Sequence, residues 1–399
     1  MTLTRTATDV LLARQPIYDR ALRVAAYELL VQRRDGSSAA EEADASATIS
    51  EIGLSLAMDR PAHVPVTRAF LLEGHAAALP HERVVLSIGR ELQLDRAARS
   101  TIVELAASGY SIALAGYEQG GPLDSLLPLA RIVGLDVGRL DRAALRHELA
   151  RLRQLGATVL ARGVDEHEDA ELCRELGFDL LQGYFYCQPR IVSDRPLAVN
   201  AINRLRLVSE LERADSDFEA LHEIVSRDVA LSYHLLRFIN SAFFALPRRV
   251  ESIRDALILL GTINVRKWAT FVALADASDK PHELVVTGLV RARMCELIAT
   301  DAGQLDRDAF FTSGLFSVVD ALTDRSMVEL LSQLPLSAEI IQALLNHDGA
   351  KGRTLRAVIA YERGNFAELG DMPPIRTPLS KLYGDAVEWA TAASGAIAA

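Results

Sequence analysis

Lysine is almost missing from this chain. It occurs only at 267, 280, 351 and 381, so nearly all of the 43 basic residues are arginine, and the first asparagine is Asn200. Chemistry in the first half that requires a lysine ammonium or an asparagine amide is thereby excluded. Cysteine is as scarce: Cys173, Cys187 and Cys295 form an odd set without recurring spacing. That argues against a disulfide framework and for a reducing compartment, so a cytoplasmic protein is expected. No apolar run approaches the ~20 residues a membrane-spanning helix needs. The opening MTLTRTATDVLLARQP lacks a basic start followed by an apolar stretch, so no signal peptide is expected either. There is no basic surplus. The net charge is −10, with 21 basic and 26 acidic residues up to position 190 and 22 and 27 beyond it. Without a Lys/Arg-rich stripe, nucleic acid is not an expected partner, and the scattered arginines read as solvated surface.

What is present falls into two patterns. Up to about residue 190, short apolar runs (Val84–Ile88, Ser111–Ala115, Ile132–Val137, Thr158–Ala161) alternate with helical stretches (Asp95–Ala107, Asp141–Leu155, Glu166–Glu175). Gly109, Gly156 and Gly177 stand where left-handed helix ends are expected. Strand–helix alternation predicts a parallel sheet, either open or closed into a barrel. The stretch CQPRIVSDRP (Cys187–Pro196) marks a domain boundary. Beyond it, Leu231, Leu235, Ile239 and Phe243 recur at i+4, Ile253, Leu257 and Leu260 line a second helix closed by Gly261, and Val265, Trp268 and Val272 continue on a third. This half is predicted to be a helical bundle.

Several segments resemble known families. Arg14-Gln15-Pro16-Ile17, Tyr27-Glu28-Leu29-Leu30, Ala161-Arg162-Gly163-Val164-Asp165 and Gln182-Gly183-Tyr184-Phe185 resemble, in order, the motifs of EAL domains. Leu235–Gly261, with Asn240, Ser241 and Gly261, resembles the HDOD signature. The resemblance implies a TIM-like α/β barrel over residues 8–190 followed by an all-α, HD-like bundle over residues 195–395.

Active EAL domains, the resemblance further implies, hydrolyse cyclic di-GMP with two divalent cations held by carboxylates at barrel strand ends. This sequence departs from that pattern. Glu28, Asp165 and Gln182 remain, but Ser87 stands for a metal-binding glutamate, Ala115 and Gly116 for two aspartates, Gly134 for the lysine and Arg162 for a glutamate assigned as base. Arg162 brings a permanent charge to the former metal centre, and an ion pair with Glu28 is the favoured expectation. In the second half, Ser317 and Val318 stand where an HD enzyme carries His-Asp, and His347-Asp348 reads as an exposed turn.

The expected function is therefore that of a non-catalytic signalling or scaffold protein in pathways of motility, biofilm or stress, binding other signalling proteins and carrying no cofactor or catalytic metal. The alternative is a receptor that binds cyclic di-GMP without cleaving it. An active phosphodiesterase with rearranged ligands is the third reading.

Overall fold

The computed structural model describes residues 10–33, 53–190, 217–227, 250–262, 280–332, 336–370 and 372–395, with single positions between 232 and 272. They form two units. The first runs to Tyr186 and also takes Ala360–Leu369 and Pro378–Ser380. The second takes Cys187–Ile359, Gly370–Thr377 and the chain from Lys381 onward.

Eight strands of the first unit close into a barrel in chain order: β1 (Val10–Asp19), β2 (Val24–Arg33), β3 (Ala62–Pro65), β4 (Val84–Gly89), β5 (Ser111–Ala115), β6 (Ala130–Asp136), β7 (Thr158–Arg162) and β8 (Leu180–Gln182). The sheet is closed, which settles the alternative left open by periodicity. From β2 to β8 every pairing is parallel, but β1 runs antiparallel to both β2 and β8. The uniform parallel sheet expected from strand–helix alternation thus fails at β1, for a simple reason. Only the turn Arg20–Arg23 separates β1 from β2, and a link that short can make a hairpin but not a crossover. Asp19 fixes the hairpin, its Oδ1 accepting the N–H groups of Ala21 (2.8 Å) and Arg23 (2.9 Å).

Helices return the chain between the parallel strands. After a short α1 (Arg68–Leu72) come α2 (Arg96–Ala107), α3 (Arg142–Gln154) and α4 (His167–Leu176). Asp95 and Asp141 cap α2 and α3, each accepting a backbone N–H at 2.8 Å. Gly177 closes α4 in the left-handed conformation, φ 85°. Leu145, Leu149 and Leu152 are the buried stripe of α3, which packs on β7. This scaffold brings the C-terminal ends of the strands to one rim, because Gly89 pairs with Ala115, Asp136 with Arg162, and Arg162 with Gln182.

The second unit is helical, and among the described residues no strand follows Gln182. It comprises α5 (Phe218–Arg227), α6 (Ile253–Leu260), α7 (His282–Asp301), α8 (Arg307–Phe316), α9 (Val319–Thr323), α10 (Met327–Leu331), α11 (Ala338–Asn346), α12 (Gly349–Glu362, whose last residues belong to the first unit) and α13 (Leu379–Gly395, whose first residues belong to the first unit). Gly261 ends α6, as expected, with its N–H on Leu257 C=O at 2.9 Å. Asn240, Ser241, Phe243 and Trp268 lie outside the described residues. None of the described helices is long and apolar enough to cross a membrane. All three cysteines are thiols, and burial pushes Cys173 and Cys295 up to about 12.

The core of the second unit is the pair α7 and α8, which cross so closely that only glycine fits at 314. A Cβ there would sit 2.5 Å from the Arg291 carbonyl oxygen and 2.6 Å from Ala292 Cα. These are backbone atoms that cannot swing aside. Gly314→Ala is expected to destabilise the chain by about 1–3 kcal/mol, the usual cost of overpacking. Urea denaturation of the full chain checks it, and an unchanged midpoint would contradict the close crossing.

Candidate functional site

The rim at the C-terminal strand ends gathers most of the residues singled out from the sequence. Glu28 on β2 points into the barrel and is 5 % exposed. Its Oε1 accepts from Arg162 Nη1 at 3.1 Å and from Ser87 Oγ at 3.5 Å, and its Oε2 accepts from the Gln182 amide. Gln182 Nε2 also donates to Gln15 Oε1 at 2.8 Å, which ties β8 to β1. Burial pushes the Glu28 carboxyl up, but the Arg162 guanidinium and the Gln182 amide outweigh it, and the group lies below its ordinary value. His63, next to Glu28 in register on β3, is pushed down to about 4 by burial and the Arg162 charge, despite the opposing pull of Glu28. At neutral pH it is uncharged, so the countercharge to Glu28 is Arg162.

Two glycines make room for this arrangement. A Cβ at Gly134 would stand 2.7 Å from Arg162 Cδ, and one at Gly116 would stand 2.7 Å from Arg90 Nη2. The aliphatic stem of Arg162 and the guanidinium of Arg90 therefore run over backbone that carries no side chain. Gly116 also has φ +66°, a conformation glycine adopts without strain. Arg90 pairs with Asp136 and, at 2.9 Å, with Glu118. Arg139 lies 3.3 Å from Glu118 and 3.6 Å from Asp136. Arg162 Nε is 3.9 Å from Asp136. The rim is thus a chain of alternating charge from Glu28 through Arg162, Asp136 and Arg90 to Glu118, with Arg139 bracing its end.

Asp165 stands apart from this chain. It is exposed, and its Oδ1 accepts the Tyr184 N–H at 2.9 Å. Ala115 ends β5 and offers no donor. His63, Arg90, Glu118 and Arg139 were not among the residues expected at the site. For Arg90 a signal existed, since it follows the strand Val84–Gly89 directly, where barrel enzymes carry functional groups. Beside the rim lies a cleft of about 590 Å³ lined by Tyr117, Glu118, Gln119, Asp136, Arg139, Leu140, Ala144, His147 and Glu148.

The donors do not fit a two-metal centre. Among the described residues no three His, Cys, Asp or Glu side chains are arranged to hold a metal ion. A divalent cation about 4 Å from the Arg162 guanidinium would be repelled by roughly 8 kcal/mol at an effective dielectric of about 20. Glu28 at the same distance would offset only that much, leaving no net attraction.

In the second unit, Ser317 closes α8 with its Oγ donating to Gly314 C=O at 2.7 Å and accepting from Arg291 Nη1 at 3.3 Å. Val318 is fully buried. His347 is half-buried rather than exposed as expected, because it caps α11 in the left-handed conformation (φ 56°), while Asp348 is exposed. Burial, then Arg356 and Arg291, holds the His347 ring below its ordinary value.

Sequence comparisons follow this division. The EAL domain family matches residues 68–189 and the HDOD domain family residues 199–361. The cyclic di-GMP phosphodiesterase CdgJ of Vibrio cholerae is 30% identical over 372 residues, 89% of this chain and 85% of that protein. The chain belongs to the EAL–HDOD family. The Bacillus subtilis protein YuxH is 29% identical over 401 residues, 95% of this chain and 98% of its own length. Among solved structures, an EAL domain protein of Listeria monocytogenes is 16% identical, with a TM-score of 0.38 over 45% of this chain and 87% of that one. The EAL domain of Mycobacterium smegmatis DcpA is 21% identical, with a TM-score of 0.37 over 44% and 88%.

The buried pair yields a test within this EAL–HDOD chain. Removing one partner of a buried ion pair strands the other charge, at about 3–5 kcal/mol. Arg162→Met should cost about that much, and adding Glu28→Gln should recover most of it. Chemical denaturation of both single variants and the double variant gives the coupling. Additive losses would mean that the two side chains do not rely on each other.

Proposed function

We propose that this EAL–HDOD protein is a non-catalytic signalling protein that acts by binding other proteins. One observation carries the reading: of the two carboxylates that remain at the expected site, Asp165 stands apart, holding the Tyr184 N–H, and Glu28 is closed off by Arg162 and Gln182. Metal-assisted cleavage of a phosphodiester needs cations to activate water and to offset charge on the phosphoryl oxygens. Ser87, Ala115 and Gly116 supply no carboxylate for them, and no lysine precedes Lys267. The likeness to CdgJ supports a place in cyclic di-GMP signalling, and the reading assigns that place to contact with partners rather than to turnover.

A second reading is favoured by the three guanidiniums of Arg90, Arg139 and Arg162 at the rim. They are fixed positive charges that need no metal, so they suit a receptor that binds cyclic di-GMP intact. Asp136 and Glu118 already neutralise much of that charge, which is why the partner-binding reading is preferred.

The full chain incubated with cyclic di-GMP and magnesium or manganese should give no linear dinucleotide above the protein-free control. Robust turnover that Glu28→Ala abolishes would overturn the proposal. Equilibrium binding with and without EDTA separates the two readings: metal-independent binding favours the receptor, and its absence favours the scaffold.

A further inference from the structure

Strand β1 is ten residues long and pairs with β2 along nearly its whole length, but β8 meets it only at Ile17–Asp19. Among the described residues, the stretch Val10–Arg14 therefore has one backbone edge with no strand beside it. In an antiparallel ladder, alternate residues turn their N–H and C=O to opposite sides, and those of Leu12 face this open edge. Leu12 is fully buried, so water cannot satisfy them, and such groups are costly to leave unpaired.

A single phenol satisfies both. Tyr361 Oη accepts the Leu12 N–H at 3.1 Å and donates to the Leu12 C=O at 2.9 Å. Tyr361 lies in Ala360–Leu369, a stretch nearly 350 residues away in sequence that belongs to the barrel unit. A second anchor follows at once. Tyr184 Oη, just past β8, donates to Glu362 C=O at 2.8 Å, and the Arg363 guanidinium lies 5.2 Å over the Tyr184 ring. Gly364, with φ +73°, turns the chain where a Cβ would come within 3.0 Å of Leu30 on β2. Phe366 then returns edge-on to Tyr361 at 5.2 Å.

We propose that residues 360–369 are a strap that closes the open edge of β1, so that the barrel is complete only while the strap is seated. Strand β1 also carries Gln15, three residues beyond Leu12, which holds the Gln182 amide against Glu28. Seating the strap thus steadies one wall of the rim site, and releasing it loosens that wall. Bonds to one named carbonyl and one named amide distinguish the strap from general packing. The inference does not depend on whether the rim binds a nucleotide or a protein.

Residue-resolved hydrogen exchange on the full chain tests it. In Tyr361→Phe the Leu12 amide should exchange at least tenfold faster, with a smaller rise at Gln15, while Ile112–Leu114 in β5 keep wild-type protection. Leu12 exchange within twofold of wild type would overturn the strap. So would an equal loss of protection in β5, since Tyr361 would then support the whole barrel rather than close one edge. If Tyr361→Phe does not fold, Tyr184→Phe, which removes only the Glu362 anchor, decides by the same comparison of Leu12 with β5.

Discussion

A carboxylate buried inside a barrel cannot remain charged without a countercharge at hand, and this constraint organises the rim of the EAL unit. Glu28 is 5 % exposed. An isolated ionised carboxylate would cost far more than the fold has to spare. Arg162 supplies the positive charge from the end of β7, and the Gln182 amide and Ser87 hydroxyl complete the shell. On its way to Glu28 the arginine side chain passes over Gly134 of β6, where a Cβ would stand 2.7 Å from its Cδ. Asp136 in turn needs Arg90, which passes over Gly116, and Glu118 takes up the far side of Arg90. Each residue in the sequence of charges follows from the one before it.

The outcome is electrostatic balance without an ion. Three carboxylates (Glu28, Asp136 and Glu118) face three guanidiniums (Arg162, Arg90 and Arg139). His63, held neutral, adds nothing at physiological pH. An arginine is permanently charged and planar, so it can bridge two carboxylates in a fixed geometry. A rim built this way keeps its shape without a metal ion, as the proposed partner-binding role requires.

Much of this was legible in the sequence. The strands from Val84 onward, the helices opening at Asp95 and Asp141 and the glycine helix ends follow from local rules, and the Glu28–Arg162 pair follows from placing two charges at one rim. What escaped the sequence is what depends on register across the barrel. Asp136 meets Arg90 because β4, β5 and β6 align their ends, and no local pattern encodes that. His63 sits in the short run Ala62–Pro65, where nothing marks it as a neighbour of Glu28. The reversal of β1 was hidden because its apolar run reads like those of the parallel strands, and only the brevity of the Arg20–Arg23 turn betrays it. The role of Ala360–Leu369 in the barrel unit could not be read at all, since helical periodicity continues through Tyr361.

The two units differ in how they fill positions where the family resemblance would place metal ligands. In the barrel, the side chains of Arg162 and Arg90 fill the space left at Gly134 and Gly116 and keep the site polar. In the helical unit, packing and capping take over. Val318 joins the core, and Ser317 closes α8 with a bond to Gly314 C=O while receiving the buried Arg291. The contrast follows from surroundings. Positions 317 and 318 lie at the end of a helix already pressed against α7, where an apolar side chain is welcome and a hydroxyl finds a carbonyl one turn back. The barrel rim has a buried carboxylate that cannot be made apolar without also replacing Glu28, so its charge had to be answered in kind. A surface that keeps paired arginines and carboxylates at fixed spacing offers a partner both donors and acceptors, and on that property the proposed partner-binding role rests.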